Sequence, residues 1–359
     1  MTGIFIAIPA SFVLAASFVA LVLHVSHKKS WYDATDERKV HNGDIPRLGG
    51  MGFALAFIAV AFITNFFASE EHFGLRFLPV LGAMLLILVC GVYDDFRPLS
   101  PRVKLGVQII AGLCVILPGY AFRQLVFPDI PQAVILRGLR YPISLLWLVG
   151  ITNAINLIDG VDGLAGGVSA LVALSYAAVF ASFANTGTVT VLCICLAAAV
   201  GGFLVFNLPF PRAKIFMGDG GAYFLGFILA LLPLIDEANV QSEFPLLYAA
   251  ALLQIPIFDT FAAIWRRLRD GRRIDSPDRL HFHHKLMNLG LKGGKFLLLV
   301  YTLQIILGVL VFCSVRFKGF QSLLLLAAAY LIGGGFFITI HFLNRRASSQ
   351  RGAGAPAAP

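Results

Sequence analysis

Charged residues are scarce in this chain. Asp, Glu, Lys and Arg make up 13% of its 359 residues, against 58% hydrophobic. With a mean hydropathy of +0.83, that shortage excludes an ordinary soluble globule. Cysteine is sparse as well. Cys90, Cys114, Cys193, Cys195 and Cys313 all fall inside or at the edge of apolar stretches. They read as small buried hydrophobes rather than a disulfide framework or a metal site. Cys193 and Cys195 are two apart on a helix and do not face each other. No internal repeat and no soluble domain is visible. The first apolar stretch lacks a basic leader and a small-residue cleavage site, so it is expected to be an uncleaved anchor.

What the chain does have is long apolar runs. About eleven are long enough, or nearly so, to cross roughly 30 Å of hydrocarbon. They lie near 4–25, 49–67, 77–92, 105–122, 143–158, 164–183, 188–206, 222–235, 244–265, 296–315 and 320–342. The fifth and eighth are short. The expected fold is an all-α integral membrane protein with about 11 transmembrane helices. It forms one polytopic domain over 1–346, followed by a disordered Ala/Pro/Gly/Ser tail at 347–359. Many of the 35 glycines sit in or beside these spans, where small residues let helices approach closely.

Orientation follows from the basic residues. With the amino terminus outside, 22 of the 28 Lys and Arg fall in inside loops and 6 in outside loops. This is a strong positive-inside asymmetry, and it puts the carboxyl terminus inside. The net charge of +9 is thus mainly a topology signal, with attraction to anionic lipid and phosphate substrates; nothing points to nucleic acid.

The polar residues gather on that same cytoplasmic face. Asn153, Asn156, Asp159 and Asp162 end the fifth run. On a helix each is turned about 60° from the last, and Gly160 and Gly163 are expected to end the helix and let the acids converge. Ionisable groups at membrane depth mark functional sites by default, and oxygen ligands of this type suit Mg²⁺. Asp94-Asp95 and Lys104 follow the third run, Phe216 to Gly221 the seventh, and Arg266 to Lys295, with His281-Phe282-His283-His284, the ninth. Singly each has a plain explanation. Asp94-Asp95 is also what a solvated loop looks like, Lys104 a snorkelling anchor, Asp219 a turn residue or N-cap, and Phe216 packing. The histidines lack a cysteine companion for zinc and suit phosphate better. The convergence of all of them at the ends of odd-numbered helices is the stronger signal.

Together these clusters, in order from about Trp31 to Lys295, resemble the polyprenyl-phosphate N-acetylhexosamine-1-phosphate transferases. The run Asn153-Ala-Ile-Asn156-Leu-Ile-Asp159-Gly-Val-Asp162-Gly-Leu-Ala carries the resemblance, as does His281-Phe-His-His284. The latter looks like the His-x-His-His loop of the N-acetylglucosamine-1-phosphate branch, related to the peptidoglycan phospho-MurNAc-pentapeptide translocases. That second branch shows three consecutive histidines, and Phe282 argues against it.

The resemblance implies a Mg²⁺-dependent enzyme, with Mn²⁺ as a substitute. It would transfer a sugar-1-phosphate, GlcNAc-1-phosphate foremost, from a UDP-N-acetylhexosamine to undecaprenyl phosphate, releasing UMP and initiating cell-envelope polysaccharide. It implies a bacterial inner membrane location among membrane lipid and leaves room for a homodimer. Carried over by motif, Asp219 and Asn156 hold the metal. Lys104, His281, His283 and His284 meet the diphosphate, and Phe216 and Asp162 hold uracil. Asp94 and Asp95 flank the lipid phosphate, either of them as base or neither. Asp159 joins the catalytic residues, Asn153 the substrate contacts, and Lys39 and His41 the lipid-phosphate contacts. Two other classes compete. A cation-coupled transporter would show midplane charges and internal repeats. A membrane prenyltransferase would show two DDxxD motifs, whereas here Pro98 occupies the fifth position and the histidine loop would be unexplained.

Overall fold

The computed structural model describes residues 2–32, 45–64, 74–123, 134–182, 187–208, 210, 212–235, 244–273, 276, 278 and 280–353. Among these residues all regular secondary structure is helical, with no strand. The helices are α1 (Thr2–Lys29), α2 (Gly49–Ile63), α3 (Leu78–Phe96), α4 (Pro101–Ile116), α5 (Val134–Ile158), α6 (Leu164–Phe180) and α7 (Gly187–Asn207). They continue as α8 (Gly218–Leu231), α9 (Leu246–Leu252), α10 (Gln254–Arg269), α11 (Phe282–Asn288), α12 (Gly293–Arg316) and α13 (Phe320–Ala353).

Each expected apolar segment forms helix over most of its described residues, and these helices differ in length. Six helices are long and apolar enough to cross a membrane, or seven if α9 and α10 count as one bent span. Shorter apolar helices occupy Gly49–Ile63, Leu164–Phe180 and Gly218–Leu234. α4 has 16 residues and carries Arg102 and Lys104 in its first turn. Conversely, α5 is not short: it runs 25 residues, with Pro142 inside it. α13 continues to Ala353, past the Arg346 boundary drawn from composition.

The segment expected as one span at 244–265 is bent by 84° between α9 and α10. Pro256 is the cause: it has no N–H to offer Leu252 four residues back, and its ring crowds that carbonyl. Gln304 of α12 takes over, its Nε2 donating to Leu252 O at 3.0 Å. Gln254 Nε2 donates to Ala251 O at 2.9 Å and to Ala329 O at 3.1 Å.

α8 is the centre of the bundle. Of its 14 residues every one but Asp219 is buried, as suits a helix apolar all round. Glycines let three neighbours touch its backbone. A Cβ at Gly50 of α2 would lie 2.1 Å from Gly221 Cα, and one at Gly91 of α3 would lie 2.5 Å from Gly220 Cα. One at Gly226 would lie 2.8 Å from Thr152 Cα of α5. Trp147 of α5 adds an indole N–H bond to Ala230 O at 3.0 Å. The N-terminus of α8 is therefore held where α3 and α5 end.

Candidate active site

Asp219 opens α8, and Gly218 before it has φ +74. A side chain there would also strike Arg47 O and the Asp95 carboxylate, at 1.9 and 2.7 Å from a Cβ. Asp95, in the last turn of α3, accepts from the backbone N–H of Asp219 (2.8 Å) and of Gly220 (3.0 Å) with its two oxygens. It caps a helix 124 residues away, satisfying donors that a buried helix start would otherwise leave unpaired. A carboxylate at this end also complements the helix dipole.

The Asp219 side chain faces the other way. Asn156 Nδ2 donates to its Oδ1 at 2.8 Å, and Lys104 Nζ lies 3.8 Å from its Oδ2. Ser100 and Pro101 start α4, with Ser100 Oγ accepting from Val103 N, and so place Lys104 in the first turn. Lys104 also pairs with Asp94, whose Oδ1 accepts from Leu99 N at 2.6 Å. The two adjacent acids thus divide: Asp94 joins the Lys104–Asp219–Asn156 cluster, and Asp95 holds backbone. Asn153 is turned elsewhere. It exchanges hydrogen bonds with Gln108 of α4, at 2.6 and 3.3 Å, and donates to Val149 O at 2.8 Å. Its amide joins α4 to α5.

Beside this cluster lies a cavity of about 270 Å³, lined among others by Arg47, Asn156, Asp159, Asp162, Asn207 and Phe216. One wall is the turn after α5, the other the segment leading into α8. Asn207, the last residue of α7, joins them: Gly163 N donates to its Oδ1 and its Nδ2 donates to Ile215 O, both at 2.9 Å. Tyr301 of α12 donates to Gly163 O at 2.6 Å, and Gly163 has φ +78. Phe216 is fixed by its backbone, its N–H on Pro46 O at 2.8 Å and its carbonyl accepting from Gly49 N at 2.9 Å. Asp159 is pushed up to about 8 by burial first, then by the neighbouring charges of Asp219, Asp162 and Asp95.

The histidine loop closes the site from α10 and α11. Buried Asp259 of α10 contacts His281 Nδ1 at 2.7 Å and accepts from Phe282 N at 2.8 Å. His283 lies on the turn after α5, where a Cβ at Gly160 would come within 2.8 Å of its Nε2. The His281 and His283 rings stack at 5.8 Å, and the His283 and His284 rings lie 4.3 Å apart. Burial, then the charge of His284, pushes His283 down to about 3, so it is neutral at working pH.

Asp94, Lys104, Asn156, Asp159, Asp162, Phe216, Asp219 and the histidine loop are thereby brought to one region. Lys39 and His41 lie outside the described residues. Sequence reasoning passed over Arg47, Gln108, Asn207, Asp259 and Tyr301. Asp259 and Asn207 carried the signal already used for Asn153 and Asn156, a polar group within or ending an apolar run. Tyr301 carried none, being one of nine tyrosines.

Among the described residues no three His, Cys, Asp or Glu side chains converge closely enough to hold a metal ion by themselves. The all-oxygen set of Asp219 and Asn156, beside further acids, nonetheless fits Mg²⁺. That ion binds through one or two carboxylates and completes its shell with water and substrate phosphate. The Asn156 amide, turned over, presents oxygen instead of nitrogen.

Residues 77–236 match the model described as Glycosyl transferase family 4. That stretch runs from the start of α3 past the end of α8 and so contains Asp94, Lys104, Asn156 and Asp219. Over 309 residues the chain is 33% identical to a probable undecaprenyl-phosphate N-acetylglucosaminyl 1-phosphate transferase of Bacillus subtilis, covering 86% of this chain and 84% of that protein. It is 30% identical over 288 residues to a decaprenyl-phosphate N-acetylglucosaminephosphotransferase of Mycobacterium tuberculosis, covering 74% and 71%. A third relative, the undecaprenyl-phosphate alpha-N-acetylglucosaminyl 1-phosphate transferase of Yersinia pestis, is 28% identical over 296 residues, covering 80% and 78%. With this likeness spread over most of each relative, and the family match enclosing the Asp94–Lys104–Asp219–Asn156 cluster, the chain belongs to glycosyl transferase family 4, among the polyprenyl-phosphate N-acetylglucosamine-1-phosphate transferases.

Proposed function

We propose that this chain transfers GlcNAc-1-phosphate from UDP-GlcNAc to undecaprenyl phosphate in the cytoplasmic membrane of a bacterium. The observation that carries the proposal is the pairing of Lys104 with both Asp94 and Asp219, next to a cavity lined by Phe216 and Asp162. The Lys104 cluster offers the charge that a diphosphate needs, and the adjoining cavity offers Phe216 and Asp162 to a nucleoside.

In the reaction a phosphate oxygen of the lipid attacks the sugar-linked phosphorus. The bond from that phosphorus to the bridging oxygen breaks, and UMP leaves with that oxygen. The product is a lipid diphosphate bearing the sugar. Lys104 neutralises charge on the diphosphate, and Asp94 holds Lys104 in place. Neutral His283 donates or accepts a hydrogen bond without needing a counter-ion. Asp162 and Phe216 hold the uracil by hydrogen bonding and stacking. Mg²⁺, held by Asp219 and Asn156, would supply further charge stabilisation on the phosphate oxygens. No strong base is required, because the attacking phosphate is already largely ionised at neutral pH.

The reading includes a topology in which the short apolar helices and α4 also pass through the membrane, giving eleven passes with α9 and α10 taken as one. The amino terminus then lies outside, and the site and the carboxyl terminus lie in the cytoplasm. The 22 inside basic residues support this.

The leaving group tests the reaction. With UDP-GlcNAc labelled on the sugar-linked phosphate, purified protein and undecaprenyl phosphate should yield labelled lipid and free UMP. Added UMP should reverse the reaction, since one phosphoanhydride is exchanged for another. Release of UDP with unlabelled lipid would mean an ordinary glycosyl transfer and defeat the proposal.

A further inference from the structure

α10 has its polarity reversed. Asp259, Ala263, Arg266 and Arg267 recur at helical spacing along one face and are buried. Phe261, Trp265 and Leu268 line the opposite face and are exposed, with 68% of Trp265 open. A helix bathed by water turns its charges outward. This one turns charges in and aromatics out, so the medium it meets is lipid. The 84° bend turns its 16 residues across the direction of α9, so the ninth pass ends in a helix that leaves the bundle at a shallow angle to the membrane surface.

The far end of the helix is basic. Of the five arginines in residues 266–273, Arg266 and Arg267 are buried and Arg266 pairs with Asp278, so Arg269, Arg272 and Arg273 form the exposed end. Arg269 and Arg272 share Asp270, at 3.0 and 3.5 Å. Two guanidinium groups on one exposed carboxylate leave an excess of positive charge beside an aromatic face. That pairing matches an anionic phospholipid, whose phosphate lies just above its acyl chains. A second copy of the chain would bring the same arginines to the contact and be repelled.

The inner face of the helix reaches the active site. Asp259 holds His281 and Phe282. Phe258 and Phe282 both rest on the Phe337 ring of α13, at 5.8 and 5.6 Å. A change in how deeply α10 sits therefore moves the histidine loop against Gly160.

We propose that α10 is an interfacial helix that binds anionic phospholipid headgroups, and that this contact sets the position of the histidine loop. The lipid contact stands on the helix alone; the effect on turnover rests on the functional reading above.

The test uses the full chain in nanodiscs of phosphatidylcholine, with or without phosphatidylglycerol. Comparing the native chain with Trp265→Phe isolates the fluorescence of Trp265. Lipids brominated near the headgroup should quench it, more strongly with phosphatidylglycerol present. Turnover should rise at least about threefold with phosphatidylglycerol, and high salt should cancel the rise. The double variant Arg269→Gln, Arg272→Gln should keep its turnover in phosphatidylcholine and lose the response. Quenching of Trp265 that ignores phosphatidylglycerol would overturn the proposal. So would a Trp265 shielded from every brominated lipid, as a contact between copies would leave it. Lipid-dependent quenching without turnover on any UDP-sugar would sustain the lipid contact and sink the functional reading instead.

Discussion

Asp94 and Asp95 are neighbours with different work. Asp95 has both oxygens engaged by backbone N–H groups of α8, so removing one acceptor loosens the helix start that carries Asp219. Asp95→Asn should destabilise by about 1 kcal/mol, the usual worth of an N-cap. It should also raise the Mg²⁺ concentration needed for half-maximal activity, while the pH profile keeps its shape. A change in that profile's shape would reinstate Asp95 as the base. Asp219→Ala should abolish turnover and leave the protein folded by circular dichroism; near-normal turnover would exclude Asp219 as the ligand. The pair itself was legible in the sequence. The division was not, because it depends on a contact 124 residues away. His283 gives a prediction about pH. It sits at about 3 against about 6.5 in an unfolded chain, so between those values the unfolded state binds more protons. Stability contributed by the neutral ring is complete above about 6.5 and falls as the pH drops towards 3. Thermal unfolding in detergent should show the native chain losing more stability than His283→Gln between pH 7 and 5. Equal losses would mean the ring is solvated.

At the scale of elements, the turn after α5 and the segment before α8 form one frame because Asn207 bonds to both. Asn207→Leu keeps the volume and removes both bonds. The expected outcome is a KM for the UDP-sugar raised about tenfold, consistent with losing one to two kcal/mol of net hydrogen bonding, with a much smaller change in kcat. Tyr301→Phe removes one bond to the same turn and should shift KM the same way by less. A fall in kcat at unchanged KM would place Asn207 in the chemistry rather than in the frame. The helices themselves were legible from apolar runs, since each run forms helix over most of its described residues. Their ends were less so. Arg137, Arg140 and Pro142 made the start of α5 look like a loop, yet α5 begins at Val134. Pro256 announced a break that hydropathy alone smoothed over, and the Gln304 bond that completes it comes from 52 residues away.

For the whole molecule, the catalytic chemistry and the charge asymmetry make the same demand. A UDP-sugar is a water-soluble cytoplasmic metabolite and a polyprenyl phosphate keeps its head at the membrane surface, so the joining residues must lie at one interface. In the proposed topology the basic loops share a side with the ends of the Asp94, Asn156, Asp219 and histidine segments, as positive-inside sorting would require of a cytoplasmic face. Exposed positions on each side make this testable. Lys318 follows α12 and Arg102 starts α4; both are exposed and neither touches the cavity. In a background with the five native cysteines replaced, Lys318→Cys should react with an impermeant maleimide in intact cells. Arg102→Cys should react only after permeabilisation. The opposite pattern would invert the protein and put the site outside, where no UDP-sugar is made. Labelling of both in intact cells would mean that α4 to α12 do not make the odd number of passes needed to separate them, and one of the short helices α6 or α8 would then have to be a re-entrant segment rather than a pass.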